Sequence, residues 1–385
     1  MELDPLVSVL LTAYDADRYL PATLASILGQ TYGHFELLVM DDGSRDGSWS
    51  ILKEIAARDG RVQLFRQEHN LGVPSSMNVL FRRASGPYVT RHDADDVSYP
   101  ERFARQVAFL EGHPTIGVVG TRVRLIDGDD RPLDLPLFTA KFSNEEIQAE
   151  LLRDNCLCQG SVMFRRELLA RVGLYDESNI GSEDYDLWLR MAEVTEFAIL
   201  DEVLYQYRVH PGSLSHRRRH EQAFHAARAL EQALQRRYGA SPPLRRREAL
   251  AQYYLQAAVA ASRTQDSAAT REYVGHALRV YPPVFENQDG LTGLLMPVIT
   301  SAGTGEALRT IQFLFAECRP PTKALRDLKS RWLAEIHMQA VFHNHGQMAR
   351  EELQNHLWLG IKNRPAWLFN RGVLALLLRS RLSQQ

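Results

Sequence analysis

The sequence predicts an α/β domain built on a mostly parallel sheet, followed by an all-α region. Over the first hundred residues, short apolar runs rich in β-branched residues alternate with segments of helical period, which is typical of a parallel sheet with crossover helices. Polar residues follow the carboxyl ends of these runs, where such sheets bind ligands. From about His216 onward, the chain becomes rich in Ala, Leu, Gln and Arg, which favour helix.

The individual elements follow from hydrophobic period and from residues that begin or end helices. The predicted strands of the first part are Val7–Leu11, Phe35–Met40, Val62–Phe65 and Tyr88–Thr90, with helices at Tyr19–Leu28, Trp49–Ala57 and Ser75–Ala84. Later elements are helices Glu101–Leu110 and Tyr185–Ala192 and strands Val118–Ile126, Ser161–Phe164 and Ala198–Tyr207. Pro100 is expected at a first helical position, and Asp127–Asp130 as a hairpin turn. This later part is mixed rather than strictly βαβ.

The composition excludes several classes of protein. The 385 residues suggest two or three domains at roughly 150 residues each. With 45% hydrophobic and 24% charged residues and a net charge of -2, the chain shows neither disorder nor general affinity for nucleic acid. Its three cysteines form neither a disulfide framework nor a paired zinc motif. No apolar run reaches the ~18 residues of a membrane span, and no basic signal region begins the chain. We therefore expect a cytoplasmic location.

We expect two domains, residues 1–215 and 216–385. In the second, Tyr253–Pro283 and Trp332–Pro365 resemble two copies of a tetratricopeptide-like helical hairpin. Residues 362–385 contain five basic side chains and no acidic one, around an apolar run. This segment is expected either to lie on an anionic membrane surface or to pack on its own domain with solvated arginines.

The Asp93-Ala94-Asp95 stretch follows the fourth predicted strand. Two carboxylates one residue apart can hold Mg²⁺ or Mn²⁺ while leaving positions for phosphate oxygens. The alternative is a solvated acidic loop. A calcium-binding EF-hand loop is excluded, because Ser98 and Ala104 occupy the positions that need glycine and glutamate.

The D-D-G-S stretch that begins at Asp41 follows the second predicted strand. In a nucleotide site, Asp42 would accept the imide N–H of a base, Tyr14 would pack on the ring, and Thr12 would contact base or ribose. Alternatively, the stretch is a turn and helix cap, with Asp46 or Ser48 bonded to the free N–H groups of the next helix. No G-x-G-x-x-G follows the first strand, which argues against a nicotinamide enzyme.

The order of motifs resembles the family 2 glycosyltransferases. VSVLLTAYDADRYLPATLASILGQTYGHFELLVMDDGSRDGS is similar to their common opening, which runs from V-S-V-I-I-P-T-Y-N through S-I-L-Q-Q-T to V-V-D-D-G-S-T-D. The resemblance continues through NLGVPSSMNVLFRRASGPYVTRHDADDVSYPERFARQ, SVMFRRELL, GSEDYDLWLRMAE and YRVHPGSLS, over about residues 6–215. It implies a GT-A fold and an inverting transfer from a nucleotide-diphosphate sugar, with UDP-sugar favoured, in the synthesis of cell-surface polysaccharide or glycan.

The resemblance also implies roles for individual residues. Thr12, Tyr14 and Asp42 would bind the nucleoside, and Asp93 would lie near the ribose and the metal. Apart from the resemblance, Arg91 or His210 is expected to add to the stabilisation of negative charge on the leaving phosphate. The expected nucleotide-binding residues are Thr12, Tyr14, Asp42, Arg91 and Asp93.

The resemblance implies that Asp95, together with Asp93, binds Mn²⁺ or Mg²⁺. It also implies that Asp184 is the catalytic base. His210 falls where the family often has a histidine near the diphosphate, although a histidine before a Pro-Gly turn is otherwise a structural hydrogen bonder. Gln159 stands where many members have histidine, which puts an acid–base or metal role there in doubt.

Asp184 has a structural alternative. Ser182 is expected as the N-cap of a helix whose first turn carries acidic residues, and the helix dipole would then keep the Asp184 carboxylate ionised. If the alignment of motifs is off by one residue, Glu183 is the base instead.

Two other functions remain as alternatives. A sugar-phosphate nucleotidyltransferase would need a glycine-rich, basic loop after the first strand, and the stretch AYDADRYLP is neither glycine-rich nor basic. A non-catalytic protein would bind a nucleotide sugar and dock partners through its helical half. The chain lacks Q-x-x-R-W, so a processive synthase is not expected. The expected partners are a nucleotide sugar, a glycan or lipid-linked acceptor, and the inner face of the plasma membrane through residues 362–385.

Overall fold

The computed structural model describes residues 4–133, 143–210, 212–213, 219–285, 304–317, 323–344 and 349–382. The chain divides into two compact units, Met1–Pro242 and Pro243–Gln385. This division lies after the position expected from composition, because the helix Arg219–Tyr238 packs against the helix Glu183–Met191 of the first unit. A helical composition therefore begins before the second unit does.

Strands and helices alternate through the first unit. Its described strands are β1 Val7–Ala13, β2 Phe35–Asp41, β3 Val62–Arg66, β4 Tyr88–Asp93, β5 Val97–Ser98, β6 Ile116–Ile126, β7 Met163–Arg165 and β8 Glu196–Arg208. Its described helices are α1 Leu20–Leu28, α2 Ser48–Arg58, α3 Val73–Arg83, α4 Arg102–Gly112, α5 Asn144–Leu151, α6 Leu168–Val172, α7 Glu183–Met191 and α8 Arg219–Tyr238.

These strands form one sheet in the order β3-β2-β1-β4-β7-β6-β8-β5. The first four strands are parallel, as the alternation of strand and helix predicted. β7 runs antiparallel to both β4 and β6, so the later part of the sheet is mixed. Successive β1 residues such as Val9 and Leu10 are both fully buried, which is typical of a strand covered on both faces.

The core of this unit packs helices on the parallel strands. α1 buries Leu20, Leu24 and Ile27, which are spaced along one helical face. They join Val9 and Leu37 of the central strands in the same apolar cluster. This packing fixes the carboxyl ends of β1, β2 and β4, where the polar stretches begin.

Two local predictions are wrong. Ser161 lies in a 3₁₀ turn rather than a strand, since its N–H and hydroxyl both donate to the Cys158 carbonyl, and β7 begins at Met163. Pro100 lies in the turn before α4, where its carbonyl accepts the N–H of Thr31 at 2.9 Å. The predicted turn at Asp127–Asp130 is present.

The second unit is helical throughout its described residues. They form α9 Leu244–Arg263, α10 Ser267–Val280, α11 Thr304–Glu317, α12 Lys323–Asn344, α13 Arg350–Asn363 and α14 Arg371–Leu382. α9 packs on α10, and α12 packs on α13, at the places where the sequence predicts helical hairpins. A small apolar cluster joins the last three helices through Met338, Val341, Leu357 and Val373. No described helix is long and apolar enough to cross a membrane.

Candidate active site at the strand ends

The polar residues that follow β1, β2 and β4 meet at one edge of the sheet. Thr12 of β1 pairs in register with Asp93 of β4. Ala13 pairs with Asp41 of β2, and the N–H of Asp42 donates to the Ala13 carbonyl at 2.8 Å. Since the carboxyl ends of parallel strands bind ligands in sheets of this kind, this edge is the candidate active site.

Asp42 is buried, and its carboxylate is engaged within the protein. Its oxygens accept hydrogen bonds from the N–H groups of Leu71 and Gly72 at 3.0 and 2.9 Å and from the Ser76 hydroxyl at 2.8 Å. The next residue, Gly43, has φ +79°, and a Cβ there would lie 2.8 Å from the backbone of His69, in the loop before α3. The turn therefore requires glycine, and Asp42 joins it to the start of α3.

Thr12 and Tyr14 are more accessible than Asp42. Tyr14 is 42% exposed and Thr12 is half-buried, so both side chains can reach a ligand at this edge. Asp46 accepts the N–H of Ser48 at 2.9 Å at the start of α2. Asp46 therefore satisfies one free N–H group at the start of α2, although the N-cap position itself is Gly47, and the Ser48 hydroxyl accepts the N–H of Ala16 instead.

The acidic loop after β4 places its carboxylates in different surroundings. Asp96 is fully buried, and its Oδ1 accepts the N–H of Arg208 at 2.7 Å. Burial, and then the charges of Asp95 and Asp93, raise the pKa of Asp96 well above its usual range. The Asp95 side chain is 29% exposed, and its Oδ2 lies 2.9 Å from Nε2 of His210. The fold thus brings Asp95 and His210 together across a large sequence separation.

The donor atoms of this pair fit a divalent metal. Carboxylate oxygens suit Mn²⁺ and Mg²⁺, and the His210 ring is positioned by the Tyr19 ring, with centroids 4.9 Å apart. Among the described residues, no three His, Cys, Asp or Glu side chains form a metal cluster. An ion held by Asp95 and His210 would therefore take its other ligands from substrate phosphates and water, as Mg²⁺ commonly does.

Arg91 connects the acidic loop to α7. Its buried guanidinium donates to Oδ1 of Asp93 at 2.7 and 3.1 Å and to Oε1 of Glu183 at 3.3 Å. The other Glu183 oxygen accepts the N–H of Gly181 at 2.7 Å. Arg91 was expected to assist at the phosphates, and the structure places its guanidinium between these two carboxylates.

Asp184 is the less engaged carboxylate at the start of α7. Its side chain is partly buried, and Oδ2 accepts a hydrogen bond from Nδ2 of Asn155 at 3.0 Å. Burial, and then the charge of Glu183, raise the pKa of Asp184 to about 7, although Arg91 and Asn155 act in the opposite direction. The expectation that the helix dipole alone keeps this group ionised at neutral pH is therefore wrong. A carboxylate with a pKa near 7 is suited to general-base catalysis.

The cap predicted before α7 is not formed by a side chain. Ser182 occupies the N-cap position, but its hydroxyl donates to the Gln222 carbonyl of α8 at 2.9 Å. The serine therefore fixes α7 against α8. The free N–H groups at the start of α7 lie beside the acidic side chains Glu183 and Asp184, which the helix dipole stabilises there.

Two further residues border Asp184, and sequence reasoning missed both. Asn155 holds its carboxylate, as described above. Tyr175 accepts a hydrogen bond from Nε2 of Gln159 at 2.6 Å, which gives Gln159 a partner within the protein. No motif marks Asn155 or Tyr175, and Asn155 lies far from Asp184 along the chain.

Comparisons with known proteins identify relatives of this chain. The family model described as Glycosyl transferase family 2 matches residues 8–173. An uncharacterized glycosyltransferase of Haemophilus influenzae is 30% identical over 233 residues, which are 58% of this chain and 71% of that protein. The putative glycosyltransferase EpsE of Bacillus subtilis is 33% identical over 50% of this chain and 69% of its own length. The amylovoran biosynthesis glycosyltransferase AmsE of Erwinia amylovora is 31% identical over 55% of this chain and 79% of its own length.

Solved structures confirm the GT-A fold. S. aureus TarS 1-349 in complex with UDP-GlcNAc has a TM-score of 0.53 at 16% identity, over 94% of this chain and 91% of that one. A longer TarS chain has a TM-score of 0.55, and this chain covers 54% of the length of that longer chain. The mannosyltransferase PcManGT from Pyrobaculum calidifontis, in complex with GDP-Man and Mn²⁺, gives 0.51 at 20% identity, over 82% and 86% of the two chains.

Proposed function

The chain belongs to glycosyl transferase family 2, and we propose that it transfers a sugar from a UDP-sugar to an acceptor hydroxyl with inversion at the anomeric carbon. UDP is favoured because TarS, which shares the fold, binds UDP-GlcNAc. The proposed acceptor is a glycan or a lipid-linked glycan. AmsE and the O-antigen biosynthesis glycosyltransferase WbnJ, both similar to this chain, are named for polysaccharide synthesis.

The observation that carries the proposal is the arrangement around one sheet edge. Asp95 lies against His210, and Asp93 is connected through Arg91 to the helix that begins with Glu183. A divalent ion, Mn²⁺ or Mg²⁺, bound by Asp95 and His210 with help from Asp93 would act as a Lewis acid toward the departing diphosphate.

The remaining roles belong to side chains at the same edge. Thr12 and Tyr14 contact the nucleoside, and Asp42 orders the loop that borders it. Asp184 takes the proton of the acceptor hydroxyl as that oxygen bonds to the anomeric carbon. The bond from this carbon to the diphosphate oxygen breaks on the opposite face, which inverts the centre. General-base catalysis of this kind contributes typically ~10²–10⁴-fold.

A donor panel tests this function. UDP-, GDP- and dTDP-sugars are incubated with the protein and Mn²⁺, and release of nucleoside diphosphate is followed with and without EDTA. We expect release from a UDP-sugar that EDTA abolishes. Formation of nucleotide sugar and pyrophosphate from a sugar phosphate and UTP would instead indicate a nucleotidyltransferase. Binding of UDP-sugar without turnover, in the presence of a panel of glycan acceptors, would indicate a binding protein.

A further inference from the structure

The carboxyl-terminal part of the second unit exposes large apolar side chains. Phe369 is 86% exposed, and Leu368 and Leu374 are each 42% exposed. Phe342 of α12 is also exposed and packs beside the Trp367 ring, with centroids 6.1 Å apart. We name Phe342, Leu368, Phe369 and Leu374 the carboxyl-terminal patch.

These side chains are not needed by the core beneath them. Val373 is fully buried in the small apolar cluster, whereas its neighbour Leu374 points away from it. The 3₁₀ turn Pro365–Phe369 has no buried residue. Its last two residues, Leu368 and Phe369, are both exposed and directly precede α14 in the chain. Adjacent exposed apolar side chains of this size mark an interaction surface.

Basic side chains flank the carboxyl-terminal patch. Arg364 and Arg371 lie on either side of the 3₁₀ turn and are exposed, and neither has an acidic partner among the residues that the structure describes. Lys362 places its ammonium 4.7 Å from the centre of the Trp358 ring, which is itself 58% exposed. From Lys362 to the end of the sequence there are five basic side chains and no acidic one.

We propose that the carboxyl-terminal patch docks on an anionic lipid surface. Leu368 and Phe369 enter the headgroup region, and Arg364 and Arg371 contact lipid phosphates. Aromatic and leucine side chains beside arginine are the composition of segments that lie in this interface. α14 has 12 residues, a length of about 18 Å, which is well below the ~30 Å of a bilayer core. The contact is therefore interfacial.

Flotation of the full chain with vesicles tests the proposal without any substrate, so its outcome is independent of the proposed transfer reaction. Vesicles of phosphatidylcholine mixed with phosphatidylglycerol should bind the protein, and vesicles of phosphatidylcholine alone should bind it much more weakly. Leu368→Ser/Phe369→Ser should weaken binding at least about tenfold, because both side chains lose apolar burial. Arg364→Gln/Arg371→Gln should weaken it roughly 25-fold, about fivefold for each lost charge.

Matched controls lie at the start of α9 in the same unit. Leu244 is 56% exposed, and Arg245 and Arg247 are exposed basic residues. Leu244→Ser and Arg245→Gln/Arg247→Gln should bind vesicles like the wild type. Thermal melting verifies that every variant is folded.

Three outcomes would overturn the proposal. In the first outcome, the folded patch variants and the wild-type protein float equally with anionic vesicles. Controls could lose as much binding as the patch variants, which would show a general charge effect. Finally, sedimentation could show that Leu368→Ser/Phe369→Ser separates a wild-type dimer that binds no vesicles, which would make the patch an interface between copies.

Discussion

Two acidic turns follow the strands on either side of β1, and the protein uses their carboxylates differently. After β2, Asp42 accepts hydrogen bonds from the backbone of the loop before α3 and from Ser76. After β4, Asp95 stays partly exposed beside His210. Each turn carries two adjacent acidic residues, Asp41-Asp42 and Asp95-Asp96. The turns differ in how fully Asp42 and Asp95 are buried and hydrogen-bonded, so the first turn joins two segments and the second can accept a ligand.

The same difference recurs within one turn of α7. Glu183 is buried and has both oxygens engaged by Arg91 and Gly181. Asp184 has a single side-chain donor, Asn155, and a raised pKa. An engaged carboxylate contributes to stability, whereas a less engaged one is available for chemistry. The predictions below follow from this difference.

The largest expected effect is that of Asp184→Asn. The variant keeps the size of the side chain but removes the base, so kcat should fall about 10²–10⁴-fold while UDP affinity and Tm barely change. Steady-state kinetics and thermal melting measure these quantities. Glu183→Gln is the matched control, and it should lower Tm because buried Arg91 loses a charged partner, with turnover largely kept. An inactive Glu183→Gln beside an active Asp184→Asn would assign the base to Glu183.

Asp95→Asn should give the next largest loss. Weaker metal binding should lower transfer with Mn²⁺ by about 10²–10³-fold, the range typical of losing one electrostatic contact to a developing charge. Asp96→Asn is the control, because its amide oxygen can still accept the N–H of Arg208. Rates are measured over a range of Mn²⁺ concentrations. Equal losses in both variants would remove the distinction between the two carboxylates.

Asp42→Ala should act mainly on stability. It removes the acceptor of the Leu71 N–H and of the buried Ser76 hydroxyl, which costs about 1–3 kcal/mol, whereas the Gly72 N–H keeps Asn70 Oδ1 as an acceptor at 3.0 Å. Urea unfolding should show this loss, and UDP affinity should fall with it. Ser76→Ala removes one of the hydrogen bonds and should lower the free energy of unfolding by about 1 kcal/mol. Weaker UDP binding in Asp42→Ala at unchanged stability would show that Asp42 contacts the base directly.

The smallest effect is expected from Asn155→Ala. In the wild type, kcat/KM should rise with pH through about 7, because Asp184 must lose its proton to act as base. The Asn155 hydrogen bond lowers this pKa, so its removal should move the midpoint to higher pH. The rate should then fall less than about tenfold, and more at pH 6 than at pH 8.5. A loss that is the same at every pH would show that Asn155 has only a structural role.

Much of this arrangement follows from local patterns. The alternation of apolar runs and helical segments predicted β1 to β4 as strands of a parallel sheet, and with it a ligand site at the carboxyl ends where Thr12, Asp42 and Asp93 lie. The apolar runs of strands and the periodicity of helices can both be recognised within short stretches of sequence. The family resemblance added His210 near the metal site, and the structure places it against Asp95.

The hydrogen-bond partners could not be predicted in the same way. Asp42 is bonded to Leu71 and Gly72, and Asp184 to Asn155, in each case about thirty positions away, with no motif to pair them. The pKa of Asp184 depends on burial and on Glu183, so the helix-dipole argument alone gave the wrong direction. The division between units was missed because α8 has the composition of the second unit and packs on the first.

Calorimetric titration of UDP with and without Mn²⁺ tests the central distinction most directly. In the wild type, Mn²⁺ should strengthen UDP binding, and this increment should persist in Asp96→Asn. In Asp95→Asn the increment should largely disappear while metal-free UDP affinity is kept, because the nucleoside contacts lie elsewhere on the edge. An increment of the same size in Asp95→Asn and in the wild type would contradict the assignment of the second turn as the ligand-binding one.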